Sequence, residues 1–194
     1  MRPFTILAIV IVGLILVFMG CGSYNSFVDS EENVDNAWSK VQSAYQRRAD
    51  LIPNLVNTVK GVADFERKTL TDVVNARAKA TSINIDPSNL SAEQMQKFQA
   101  AQSGLSSALG RLLVSVERYP ELKASQSFLE LQAQLEGTEN RIKVERDRFN
   151  DVVTSYNKSI RHFPAAFFAT VFGFHEKAQF QAEENAQNAP KVEF

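Results

Sequence analysis

Residues 4–19, FTILAIVIVGLILVFM, form a strongly apolar run of sixteen without a charge, and from residue 31 onward the pattern changes. There they recur at alternating steps of three and four: Val34, Trp38, Val41 and Tyr45 open a stripe that Ile52, Leu55, Val59 and Val62 continue. Side chains spaced this way share one face of an α-helix, so the stripe predicts a helix with one buried side over residues 31–80. Ser30 stands where an N-cap would, with Glu31 and Glu32 in a first turn where the helix dipole favours acid. Pro53 falls inside the stripe, and its missing N–H predicts a kink or break near residues 50–53.

The polar segment SINIDPSN, residues 82–89, reads as a loop. Ser91 then precedes Gln94 by the spacing of a capping box, which predicts a second helix. Its stripe is Phe98, Ala101, Leu105, Ala108 or Leu109, Leu112, Val116 and Tyr119, closed by Pro120. A third helix is expected over residues 122–162, with Phe128, Leu131, Leu135, Ile142, Phe149, Val152 or Val153, Tyr156 and Ile160 on one side. The seven-residue step from Leu135 to Ile142 to Phe149 suits side-by-side, coiled-coil-like packing. Pro164 interrupts this helix, and AAFFATVFGF, residues 165–174, follows without a charge: a bundle cap, a partner surface and a bilayer contact all fit it.

Stripes this long cannot be buried within their own helices. The predicted fold is therefore all-α: an elongated antiparallel bundle of three to four long helices behind an N-terminal transmembrane helix. Residues 1–22 form the membrane anchor or signal segment, 23–182 the bundle, and 183–194, rich in Asn, Gln, Glu and Ala, a flexible tail.

The run over residues 4–19 reaches roughly 24 Å as a helix, and roughly 28 Å with the three residues that follow, close to a bilayer core of about 30 Å. A cleaved secretory segment is the competing reading. Arg2 on one flank, against a charge-free stretch up to Asp29, places the terminus in the cytoplasm and the body outside it. Gly20 before Cys21 at the end of the run also resembles a bacterial lipoprotein processing site, with Cys21 as the lipidated residue.

Composition narrows the chemistry. A chain of 194 residues supports one sizeable core. With 21 Lys and Arg against 22 Asp and Glu, the net charge of -1 offers no general attraction for nucleic acid. One cysteine and two histidines, His162 and His175, supply neither a disulfide framework nor a metal cage, and no glycine-rich phosphate loop is present, so no cofactor is expected. Gln46, Arg47, Arg48, Asp50, Asn54 and Asn57 face a second polar set across an antiparallel pair: Glu136, Glu139, Asn140, Arg141, Arg146, Asn150 and Asn157. The two sets form either an internal ladder that fixes register or a solvated charged face.

The segment YNSFVDSEENVDNAWSKVQSAYQRRADLIPNLVNTVKG, residues 24–61, closely resembles the opening of the LemA family. The resemblance continues in ERYPELKASQSFLELQAQLEGTENRI at 117–142, FNDVVTSYNKSIRHFP at 149–164 and FGF at 172–174. It implies a bacterial single-pass envelope protein with a body of long antiparallel helices and no established catalytic activity. The positions that match are Trp38, Arg47, Arg48, Asp50, Leu51, Pro53, Asn54, Leu55, Glu117, Pro120, Leu122, Leu135, Glu136, Glu139, Asn140, Asn157, Phe163 and Pro164, which read as architecture and partner surface. Phe149 and Val62 stand where the family commonly has tyrosine. The expected function is a membrane-anchored, non-catalytic scaffold or adaptor whose partners are the membrane and an envelope protein or a second copy. The alternatives are a lipid-binding or membrane-remodelling module and a hydrolase or transferase built on Glu136 and Glu139 with Asp50.

Overall fold

The structure, a computed structural model, describes residues 3–62 and 65–181. The expected tail at 183–194 lies outside the described residues. The elements are helices α1 (Pro3–Lys60), α2 (Arg67–Ser82), α3 (Ala92–Val116), α4 (Pro120–Lys123), α5 (Gln126–Arg161) and α6 (Ala165–Phe172), with a short 3-10 turn, Pro87–Asn89, before α3. The all-α architecture read from the stripes is what the chain adopts.

Helix α1 is continuous over 58 residues, which makes it roughly 87 Å long. Over residues 7–19 it is an apolar cylinder exposed at every position: Leu7, Val12, Leu14, Val17 and Phe18 are all more than half exposed. The same helix then carries the first stripe of the body. Ser30 is therefore no N-cap; its hydroxyl donates to the Ser26 carbonyl at 2.7 Å inside the helix. The reason is register: Gly20, Phe27, Val34 and Val41 are buried in seven-residue steps, so the covered face passes from anchor to body without a break in phase.

The break expected near residues 50–53 falls instead after Lys60, where Val62 N–H donates to Val59 C=O and the chain turns toward α2. Helix α5 runs antiparallel along α1, α2 packs on α3, and α4 is a single turn begun by Pro120. Ser91 and Gln94 form the predicted capping box at the start of α3. On α5, the positions at seven-residue spacing, Phe128, Leu135, Ile142, Phe149 and Tyr156, are all buried.

The core divides into two apolar clusters. The one nearer the anchor gathers Phe27, Val34, Trp38 and Tyr45 of α1, Phe98 of α3, and Ile142, Phe149 and Tyr156 of α5. The far one gathers Ile52, Leu55 and Val59 of α1, Val73 of α2, Leu105, Leu109 and Leu112 of α3, and Phe128 and Leu135 of α5. Trp38 is at the centre of the first, with ring centroids 5.3 Å from Phe98 and 5.4 Å from Phe149.

Candidate functional site

The seam between the two clusters is polar. Arg48, placed on the α1 stripe between Tyr45 and Ile52, has a side chain only 2% exposed. Its guanidinium donates to Glu139 of α5 at 2.7 Å, and to Ser106 and Gln102 of α3 at 2.9 and 2.8 Å. The amide of Gln102 donates in turn to the Ala80 carbonyl of α2 at 3.2 Å. One cation thus reaches α3 and α5 directly and α2 through Gln102. A slip of α1 by a turn would take the buried guanidinium from all of these partners, which ties the register of α1 to α3 and α5. Burial raises the pKa of the neighbouring Tyr45 hydroxyl, against the opposing pull of Arg146 and Arg48.

A second device compensates Pro53. Proline at that position leaves the Ala49 carbonyl, four residues back, without its helical donor. The Arg77 side chain of α2 supplies one, with its Nε 2.7 Å from that oxygen. This contact satisfies the freed acceptor within an unbroken α1 and ties α2 to α1.

The third arrangement holds residues 174–181, a non-helical strap laid back along α5. Gly173, at φ 79, ends α6 in the left-handed conformation while Phe174 N–H donates to Ala169 C=O, which turns the chain back. Asn157 donates to Lys177 C=O and accepts from Lys177 N–H, both at 2.9 Å. Asn150, one heptad earlier, does the same to Phe180 at 3.1 and 2.9 Å. The spacing matches: seven helical residues advance about 10.5 Å and three extended ones about 10 Å, so two asparagines clasp every third strap residue in the same way. Lys177, buried, donates to Glu31 at 2.8 Å and to the Pro87 carbonyl at 2.9 Å. Nearby, burial raises the pKa of the Asp35 carboxyl despite the Lys177 charge, and burial together with the Glu31 and Asp35 charges pushes the Tyr156 hydroxyl up to about 12. That hydroxyl donates to His175 C=O at 3.0 Å.

Of the residues singled out in the sequence, Trp38 and Arg48 are buried, Asn157 is half-buried, and Arg47, Asp50, Pro53, Asn54, Glu136, Glu139, Asn140 and Cys21 are exposed. Only Arg48 and Glu139 meet across the α1–α5 seam as a salt bridge. Asp50 accepts from Gln46, and Glu136 from Gln132, each within its own helix. Arg47 lines a groove of about 550 Å³ between α1 and α5 with Lys40, Ser43, Gln134 and Arg141. Glu136 and Glu139 thus stand on the exposed side of α5, one of them neutralised by Arg48. Among the described residues, no group of three or more His, Cys, Asp and Glu side chains is placed to hold a metal ion. Residues missed in the sequence are Arg77, Gln102, Ser106 and Lys177. Gln102 alone carried a signal, a polar side chain next to Ala101 on an apolar stripe.

The sequence model of the LemA family matches residues 37–194, a span that contains the polar layer and the strap. The chain belongs to the LemA family. Among its relatives, Protein LemA of Metamycoplasma hominis is 27% identical over 170 residues, covering 88% of this chain and 74% of the relative. Magnetosome protein MamQ of Magnetospirillum gryphiswaldense and Magnetosome protein MamQ 2 of Paramagnetospirillum magneticum are each 26% identical over 186 residues, covering 87% of this chain and 68% of theirs. As a LemA-family protein with a helix long and apolar enough to cross a bilayer, the chain is a membrane-associated bacterial protein.

Proposed function

We propose that the chain is a membrane-anchored, non-catalytic scaffold or adaptor of the bacterial envelope, single-pass, with its body outside the cytoplasm. The observation that carries this reading is the continuity of α1: the uncovered apolar run and the buried stripe of the body belong to one helix, which extends the bundle away from the bilayer. Such an arrangement supplies reach and rigidity, and it needs no pocket.

The surface offered to an envelope partner, or to a second copy, is the α1–α5 groove lined by Arg47, Gln134 and Arg141. Asp50, Pro53 and Asn54 on α1 and Glu136 and Asn140 on α5, all exposed, extend the partner surface along the two helices. A photoreactive residue in place of Gln134, in full-length protein in native membranes, tests the assignment. A reproducible stoichiometric envelope protein in the crosslinks supports the adaptor, and self-crosslinks support a homotypic scaffold. Crosslinks to neither would refute both. Anchoring through a lipidated Cys21 is the alternative attachment, and the mass of the protein isolated from membranes separates an intact chain from one beginning at an acylated Cys21.

A further inference from the structure

Outside α1, the large apolar side chains that face solvent fall into two kinds. Val74, Val114, Leu129 and Val144 are scattered singly over α2, α3 and α5, which is ordinary for a folded surface. Phe163, Phe167, Val171 and Phe172 are gathered within ten residues, and the first three are 93%, 66% and 63% exposed. Phe167 and Val171 are four apart and share one side of α6, with Phe163 exposed in the turn just before the helix, while Phe168 and Ala169 on the other side are buried. No charged side chain occurs from residue 163 to 174.

The location decides what covers this stripe. Phe168 approaches within 3.2 Å of where a Cβ on Gly20 would stand, and the Phe172 ring meets Tyr24 edge-on at 5.3 Å. Helix α6 therefore lies against α1 where the uncovered apolar run ends. On the membrane-anchored reading, residues 7–19 lie in lipid and α6 packs on α1 beside the end of that run, which makes lipid the nearest apolar phase to the exposed side chains. Aromatic and aliphatic side chains on one face of a short helix, aimed along a bilayer surface, are the groups that settle among headgroups and upper acyl chains.

We propose that α6 is a second membrane contact: an interfacial helix whose Phe167 and Val171 side, together with Phe163 in the turn before it, is immersed in the bilayer surface next to the anchor. The inference rests on the membrane-anchored reading. It adds a site, a ligand class and a consequence: two points of contact fix the tilt of the bundle, where a lone spanning helix leaves it free to lean.

The test uses the full-length chain in a Cys21→Ser background, reconstituted into vesicles of phosphatidylcholine and phosphatidylglycerol. Single cysteines at Phe167→Cys, Val171→Cys, Leu14→Cys and Val114→Cys carry a fluorophore, and nitroxide-bearing lipids quench at shallow or deep positions. The labels at 167 and 171 are expected to lose more emission to shallow than to deep nitroxides and to be shielded from aqueous iodide. The label at 14 loses most to deep nitroxides, and the label at 114 responds to iodide alone. Phe163→Ser with Val171→Ser, which leaves the buried face of α6 intact, should reduce the shallow quenching at 167. Labels at 167 and 171 that behave like the one at 114, while 14 is lipid-quenched, overturn the proposal and leave the anchor standing. Loss of lipid quenching at 14 as well overturns both. Shielding from iodide without lipid quenching shows that protein covers the stripe, and also overturns it.

Discussion

Replacing Arg48 with alanine removes the cation that joins three helices, and its cost follows from what is left behind. The Gln102 side-chain oxygen loses the Arg48 donor, its only one among the described residues, in a site 7% exposed, and an orphaned buried acceptor costs about 1–3 kcal/mol. The two stem methylenes that alanine lacks, Cγ and Cδ, add about 1.6 kcal/mol of lost transfer energy at most, partly offset because a guanidinium no longer has to be desolvated. Glu139 is 58% exposed and returns to water, so it does not become a stranded buried charge. The net destabilisation is about 2–4 kcal/mol, or about 5–15 °C in melting temperature for a domain of this size. Lys97→Ala is the control. Its side chain is 67% exposed and pairs with Glu93 one helical turn away, an interaction worth about 0.5 kcal/mol or less. Thermal unfolding of both full-length variants, followed by helical circular dichroism in one detergent, makes the comparison. Melting temperatures that agree within about 2 °C, on the same size scaling, would refute the assignment of Arg48 as the internal register lock.

Arg77→Ala should cost about 1–2 kcal/mol through the freed Ala49 carbonyl, and distinctly less in a Pro53→Ala background, where the helix regains its own donor; equal costs in the two backgrounds would disprove the compensation. Asn157→Ala and Asn150→Ala should each accelerate amide exchange at the strap residue it clasps, Lys177 and Phe180 respectively, while core amides of α1 keep their protection. For Asp35, whose folded-state pKa is raised above its unfolded value mainly by burial, the folded form holds the proton more tightly. Its contribution to stability therefore falls as pH rises from the ordinary carboxylate range through the raised value. Asp35→Asn should accordingly be more stable than the parent at neutral pH and lose that advantage as the medium is acidified below that window; an advantage constant with pH would contradict it.

The apolar stripes were legible because they are one-dimensional: spacing alone decides which face a helix buries, and Val34 through Val59, Phe98 through Val116 and Phe128 through Ile160 are covered as their periods require. The end of α1 was not legible, because it depends on a contact between distant residues. Pro53 removes a donor, which argues locally for a break, but Arg77 supplies the replacement from α2 and the helix continues to Lys60. The Ser30 cap failed for a related reason: local capping preference yielded to the seven-residue phase shared by Gly20, Phe27 and Val34. In the polar set, Arg48 alone sits on the stripe and is buried, whereas its neighbour Arg47 turns to the groove. The strap was invisible in the sequence, since backbone groups of Lys177 and Phe180 carry half of each clasp and any residue but proline presents the same ones.

The proposed role depends on one rigid helix that carries the chain from bilayer to bundle. Spin labels at Phe18→Cys and Ser39→Cys, in the Cys21→Ser background and in vesicles, measure it directly. A continuous helix across those 21 residues places the sites about 32 Å apart on the helix axis, and a single narrow distance distribution near that value is the predicted result. A broad distribution, or one displaced to shorter distances, would mean that the helix breaks or flexes at the membrane surface, and would contradict a body held rigidly on its anchor.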